Sequence, residues 1–363
     1  MRGVADTPLS PGGRGAGGEG DGGAERARSS NLPPLPGAHW RQAYRASPSG
    51  GEGLQQGWSA RLNLRFEPRE VSGARRTVIT ERNHFGPLRI LKPLYPEGHD
   101  ICHGVIVHPP GGIVAGDSLA IDVQVDANAN ALITTPGTQK WYRSSGKQAS
   151  AVTRLHVADG ATLEWVPQET MVFDGAWAEQ VLDITLAPGA QFFGWEMLCL
   201  GRTTRGERFT TGEFRQRIRL KRCQNDLPRP VGTVLPRHDV AIPVAVAPLP
   251  QTCAPIWRES MFLRRGDPLM ASPLGMRGLP VTATAWIVFP PDAYDSATLL
   301  GEIRTALNDA PLAAASSPEA GLIVVKALCD APESVRNLLI AVWSKIRMPV
   351  FGRKPDLPRI WST

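Results

Sequence analysis

Val125-Asp-Ala-Asn-Ala129-Asn-Ala-Leu-Ile133, Val157-Ala-Asp-Gly-Ala161-Thr-Leu-Glu-Trp165 and Leu186-Ala-Pro-Gly-Ala190-Gln-Phe-Phe-Gly-Trp195 are three copies of one pattern. Each copy has an apolar strand end, a three-residue turn carrying Asn, Gly or Pro-Gly, an alanine, and a second apolar run. From 125 to 157 is 32 residues and from 157 to 186 is 29. Strand-only repeats of this length cannot bury an apolar face alone, so they stack as β-coils or layered hairpins. A plain β-sandwich with three similar hairpins is the alternative. Upstream, residues 58–66 and 76–82 alternate apolar and polar at period two, as half-buried strands do. Residues 85–93 read as a further strand between turn residues. The fold class predicted is mainly β, a β-helix-like stack or layered β-sheets.

The repeats follow a loop dense in backbone punctuation, running from Cys102 to Asp117. Val105-Ile-Val107 reads as a buried strand. Pro109-Pro110 then excludes helix and a central sheet ladder, and Gly111-Gly112 permits a turn with positive φ. Gly111 to Ser118 has the spacing of a phosphate-binding loop, but Asp117 stands where the lysine belongs and would repel phosphates. The alternation of residues 119–125 also predicts a strand where a helix should follow. A nucleotide site is not the reading.

The chain has 363 residues with Gly 37 and Pro 33, and its formal net charge is +6. Residues 1–53 are Gly- and Pro-rich with few aliphatics, the composition of a disordered extension. The stretch lacks the apolar core of a secretory signal, and its acidic residues argue against a transit peptide. Residues 54–363 are expected to hold the β domain. Arg215, Arg217, Arg219 and Lys221 alternate along one strand face, which predicts a solvated surface. A nucleic-acid site would want interleaved aromatics. No uninterrupted apolar run is long enough to span a membrane. Five widely spaced cysteines without CxxC pairs predict reduced thiols and a cytoplasmic location.

Helix is predicted twice in the C-terminal half, at 295–308 and 331–347. The second has Asp330 as cap, Pro332 in the first turn, and an apolar stripe of Val335, Leu338, Leu339, Val342, Trp343 and Ile346. Arg347 and Pro349 are expected to mark its end.

Catalytic signatures are missing: there is no HExxH, GxSxG or Rossmann glycine triplet. Glu164, Glu169, Asp174 and Glu196 sit beside tryptophans near the repeats, and acids in that setting fit a carbohydrate-cleaving enzyme on a β-helix. The competing reading has them holding turns and pairing with Arg202 or Arg143. Cys102, His103 and His108 are the one cysteine–histidine cluster. On a strand the first two point to opposite faces, and Cys102 to His108 spans roughly 20 Å, so they form no local chelate.

These strings carry a resemblance. His108-Pro-Pro-Gly-Gly-Ile-Val-Ala-Gly-Asp117 after Cys102-His103, Thr134-Thr-Pro-Gly-Thr-Gln-Lys140 with Tyr142-Arg143, Pro167-Gln-Glu-Thr-Met-Val-Phe-Asp-Gly175, Gly194-Trp-Glu-Met-Leu-Cys-Leu-Gly-Arg202 and Pro358-Arg-Ile-Trp361 occur in order. Together they resemble the urease accessory protein family UreD, also called UreH. Within them the positions that carry the family pattern are His108, Pro109, Pro110, Gly111, Gly112, Gly116, Asp117, Trp195, Glu196, Gly201 and Arg202. The resemblance covers residues 57–363, is weak over the Pro-rich 227–255, and does not include the N-terminal extension.

The resemblance implies a non-enzymatic maturation factor with a β-helix-like fold and two helices. It implies binding to apo-urease and recruitment of UreF and the GTPase UreG, so that nickel is installed, with no partner in nucleic acid or membrane. Nickel is then expected in transit and not stably bound. Cys102, His103, His108, Glu164, Glu169 and Asp174 are the transit candidates. Trp343, Arg359 and Trp361 are candidates for a partner interface, since aromatics and arginine are enriched in hot spots. Both tryptophans finishing the core is the other possibility.

Overall fold

The computed structural model describes residues 57–225, 253–307, 310 and 312–362. The extension expected at 1–53 and most of the Pro-rich stretch at 227–255 fall outside the described residues. Strands β1 (Ser59–Val71) and β2 (Ala74–Phe85) form an antiparallel hairpin leading into β3 (Arg89–Ile90) and β4 (Ile101–Val107). Three coils follow. The first is β5 (Ser118–Val125), β6 (Asn130–Thr134) and β7 (Gln139–Trp141). The second is β8 (Ala149–Val157), β9 (Thr162–Trp165) and β10 (Thr170–Val172). The third is β11 (Trp177–Leu186) with β12 (Gln191–Leu200). The chain then runs through β13 (Glu213–Cys223), β14 (Cys253–Arg264), β15 (Val281–Val288), α1 (Ser296–Ala306), β16 (Ala313–Glu319), β17 (Leu322–Cys329) and α2 (Pro332–Phe351).

Corresponding strands of successive coils stack in parallel. One sheet has the order β14-β13-β11-β8-β5-β1-β2, and the other β16-β17-β15-β12-β9-β6-β4-β3. The ladder pairs Val125 with Val157 and Val157 with Leu186, the three anchors of the sequence repeat. Ala158 N donates to the Val125 carbonyl and Ala187 N to that of Val157, so each turn rests on the one before. Val125, Val157, Leu186, Ala129 and Ala161 are all 0% exposed, which gives every repeat the same buried corner. The predicted β-helix-like stack with two helices is the observed architecture.

Alternate residues of the two sheets meet in a first core that includes Leu64, Phe66, Leu155, Phe192 and Trp286. The opposite face of the second sheet is covered by α1 and α2, forming a second core around Trp195, Phe193, Leu339 and Trp343. Helix α1 starts as expected, with the Asp295 carboxylate accepting from Ala297 N.

Five local expectations are corrected. Helix α2 is capped at Ala331 without a side-chain bond, so Asp330 is not its cap. It also runs past Arg347 to Phe351, with Pro349 inside its last turn and the αL Gly352 ending it. Of the run 85–93 only Arg89–Ile90 forms a strand of its own, Phe85 being the end of β2. Cys223 and Cys253 face each other across the β13–β14 ladder and form a disulfide, so reduced thiols are found only at Cys102, Cys199 and Cys329. The basic face of β13 is only partly solvated. Arg217 pairs with Glu179 at 2.7 Å, while Arg219 and Lys221 pair with Asp183 at 2.8 and 2.6 Å, the Lys221 side chain being 6% exposed. No helix among the described residues is long and apolar enough to cross a membrane.

Candidate functional site

Because the coils are in register, loops some 30 residues apart in sequence line up at one end of the stack. Ile113 bridges to Trp141, Phe173 N donates to the Trp141 carbonyl at 2.9 Å, and Gly201 N to that of Val172 at 2.7 Å. These rungs carry the motifs 108–117, 140–143, 173–175 and 201–202 onto one rim. Asp117 staples its own loop: one carboxylate oxygen accepts from Trp58 N at 2.8 Å and the other from Val114 N at 3.0 Å. This explains an aspartate where a nucleotide loop would need lysine. Gly112 lies against the Tyr142 ring, and a Cβ there would stand 2.1 Å from it. His108 is half-buried beside this loop, its pKa lowered by burial despite Asp117.

The rim carboxylates hold turns. Asp174 accepts from Thr210 N and Thr211 N, both at 2.7 Å, with Arg143 at 3.5 Å. Partial burial pushes this carboxyl up, but the two amides outweigh it and hold it below the usual range. Glu207 pairs with Arg202, whose Nε donates at 2.7 Å, and this bond holds the Glu207 carboxyl low. The Arg202 guanidinium lies 4.7 Å from the Phe173 ring centroid, and Phe173 meets Tyr142 edge-on at 4.9 Å. With Arg143, Asp174 and Glu207 these residues line one shallow cleft.

A second cluster lies where α2 meets the β-stack. Arg347, 0% exposed, reaches Glu164 through Nε at 3.0 Å and Nη2 at 2.8 Å, and Glu97 at 2.6 and 2.9 Å. Its Nη1 also donates to the Lys354 carbonyl at 2.7 Å. His103 Nε2 sits 2.7 Å from Glu97, and the Trp343 indole donates to Glu164. Burial alone would raise the Glu97 carboxyl, but hydrogen bonds from His103 and Arg347 bring it below its ordinary value.

Trp343 is therefore core, 0% exposed, and not the docking surface expected of it. Its burial follows from its place in the apolar stripe of α2. Trp361 is half-buried between Trp195 and Trp343, at ring separations of 5.6 and 5.8 Å, and its indole donates to Thr134 Oγ1 at 2.8 Å. Of the three interface candidates only Arg359 is exposed.

A third feature is a polar lane inside the first core. Glu196 accepts from Trp165 Nε1 at 3.3 Å and from Gln180 Nε2 at 3.0 Å, and Gln216 Nε2 in turn donates to Gln180. Burial raises the Glu196 carboxyl to about 7, the two hydrogen bonds offsetting only part of that cost. Its ladder partner Thr284 donates to Glu259, which also accepts from Lys326 at 2.7 Å, so polar side chains continue to the exposed edge.

The transit candidates do not converge. Glu164 is held by Arg347, Glu169 by Thr138 and Arg336, and Asp174 by its turn amides. Three locked acids facing different neighbours do not make the opposed carboxylate pair that a glycosidase needs. Cys102 is fully buried, its thiol pushed up to about 11 by desolvation, and His103 is committed to Glu97. Among the described residues no group of three or more His, Cys, Asp or Glu is arranged to hold a metal ion.

Sequence reading missed Glu97, Arg347, Gln180 and Glu259. One signal was available for Arg347: it is i+4 from Trp343 on the apolar face of α2, where a charge needs a buried partner.

The family described as UreD urease accessory protein matches residues 59–362. A urease accessory protein UreD of Azoarcus sp. (strain BH72) is 40% identical over 312 residues, covering 85% of this chain and 95% of that relative. The corresponding proteins of Delftia acidovorans and Pseudomonas fluorescens are 36% and 38% identical, covering 85% and 84% of this chain and 95% of each relative.

Proposed function

The chain belongs to the UreD family of urease accessory proteins, and from that membership we propose that it is a non-enzymatic maturation scaffold. In this reading it binds apo-urease in the cytoplasm and, with UreF and the GTPase UreG, lets nickel reach the urease site. The observation that carries the proposal is the rim. Motifs scattered over about a hundred residues of sequence converge on one surface, and their carboxylates are spent on holding loops in shape. Such a surface is organised for recognition: Asp117, Asp174 and Glu207 are each held by turn amides or by Arg202, which leaves these carboxylates shaping loops.

Nickel is cargo in this proposal. A transit route needs polar groups that bind weakly enough to release. Glu196 suits that role better than Glu164, Glu169 or Asp174, because among the described residues it has no cation paired with it. With a pKa of about 7, its carboxyl is near half ionisation at neutral pH. Thr284 and Glu259 extend the same lane outward.

The test is reconstitution with tagged apo-urease, UreF, UreG and nickel. Wild-type protein should co-purify with apo-urease and raise urease activity. Glu196→Gln and Glu259→Gln should co-purify equally but activate less. Failure to join apo-urease with or without the partners, or turnover of a polysaccharide by the purified chain, would overturn the scaffold reading. Tight retention of one nickel ion per isolated chain would overturn transit.

A further inference from the structure

The chain between β14 and β15 folds back on itself. Ser272 N donates to the Pro268 carbonyl, Gly275 N and Arg277 N to that of Ser272, Met276 N to that of Leu269, and Gly278 N to that of Met270. Asp267 accepts from Leu269 N at 2.9 Å and closes the first turn. Met276, 3% exposed, anchors the loop in the core between the sheets. Gly275 is pressed against the Leu269 carbonyl, where a Cβ would stand at 2.3 Å. A loop bonded this fully to itself has a set shape.

At its tip this loop holds Leu274 100% exposed, with Leu269 37% exposed behind it. A single surface leucine is ordinary. The charges around this one are not balanced. Arg265 and Arg277 on the loop, and Arg205 on the neighbouring one, are exposed and have no carboxylate partner among the described residues. Arg208 ties the two loops together by donating to the Gly278 carbonyl at 3.3 Å. The acids at this end, Asp174, Glu207, Glu213 and Asp267, are already engaged with turn amides, Arg202 or Arg215. What remains is a fixed apolar tip on a loop that carries two unpaired guanidinium groups, tied to a neighbouring loop that carries a third.

We infer that this loop is a docking knob for an acidic protein surface: Leu274 enters an apolar pocket, and Arg205, Arg265 and Arg277 meet carboxylates around it. The charge asymmetry selects the partner's chemistry, since an apolar centre with a charged rim is the anatomy of a protein interface. The assignment rests on the maturation reading, which makes apo-urease the partner.

The test is binding of the full-length chain to immobilised apo-urease at low and high salt, comparing wild type with Leu274→Asp and with Arg265→Glu/Arg277→Glu. Loss of one buried leucine predicts affinity lower by about tenfold or more for Leu274→Asp at either salt. The charge reversal should slow association strongly at low salt and less at high salt, because rim charges steer and are screened. Both variants should keep the wild-type unfolding midpoint and bind UreF normally, because Leu274 is fully exposed and Arg265 and Arg277 are exposed and form no ion pair among the described residues. Wild-type affinity for apo-urease in both variants would overturn the knob. So would loss of binding to a mixed-sequence RNA in the charge reversal with apo-urease binding intact. If the wild-type chain itself ignores apo-urease, the maturation reading fails, a result distinguishable from failure of the knob alone.

Discussion

Replacing Arg347 with Met keeps an unbranched apolar stem and removes the guanidinium, whose carbon lies 4.5 Å over the Trp343 ring in the native chain. Glu164, 0% exposed, then retains only the Trp343 indole, and Glu97 retains only His103. Removing one partner from a buried ion cluster strands the others and costs about 3–5 kcal/mol. For a domain of this size that is a fall of about 10 °C in the unfolding midpoint. The loss should depend on pH. Native Glu97 has a depressed pKa, so it contributes stability above its ordinary value of 4.5 and loses that contribution as pH falls through its native value. The gap between wild type and Arg347→Met should therefore be widest at neutral pH and narrow on acidification. Adding Glu97→Gln and Glu164→Gln to the variant should restore part of the loss at neutral pH, because no charge is then stranded. Calorimetry or denaturant unfolding at several pH values reads all three effects. A midpoint for Arg347→Met within about 2 °C of wild type at neutral pH, below even 1 kcal/mol on this scale, would refute the claim that this cluster pins α2 to the stack.

Two further outcomes are expected. Glu196 has a native pKa raised from 4.5 to about 7, so its contribution falls as pH rises between those values, by about 3 kcal/mol in all. Glu196→Gln should thus stabilise the chain at pH above about 7 by up to that amount and much less near pH 4.5; equal effects at both, in urea titrations, would show that the carboxyl does not titrate there. Gly201 has φ +87°, and a Cβ on it would stand 2.4 Å from the Glu207 carbonyl. Gly201→Ala should cost at least about 2 kcal/mol and displace the Arg202–Glu207 pair, lowering both the unfolding midpoint and urease activation. A wild-type midpoint in thermal unfolding would mean the turn relaxes freely.

The sequence by itself determined the β-stack, because its signals are local. Turn residues at 126–128, 158–160 and 187–189 and apolar residues at the same corner recur every 29 to 32 positions, and backbone register does the rest. The motif strings carried the family for the same reason, since contiguous residues survive as a readable unit. The start of α1 was equally legible, since the helix expected from 295 begins at Ser296. What each motif residue does was decided only by the tertiary structure. Trp195 and Glu196 are neighbours, yet strand alternation sends one under the helices and the other between the sheets. Which face is which depends on what packs there. Glu97, Glu164 and Arg347 converge across separations of 183 and 250 residues, and Cys223 finds Cys253 across 30. Arg347 looked like the basic end of a helix and is instead its most deeply buried charge, since an ion's cost depends on partners that only the folded chain brings near.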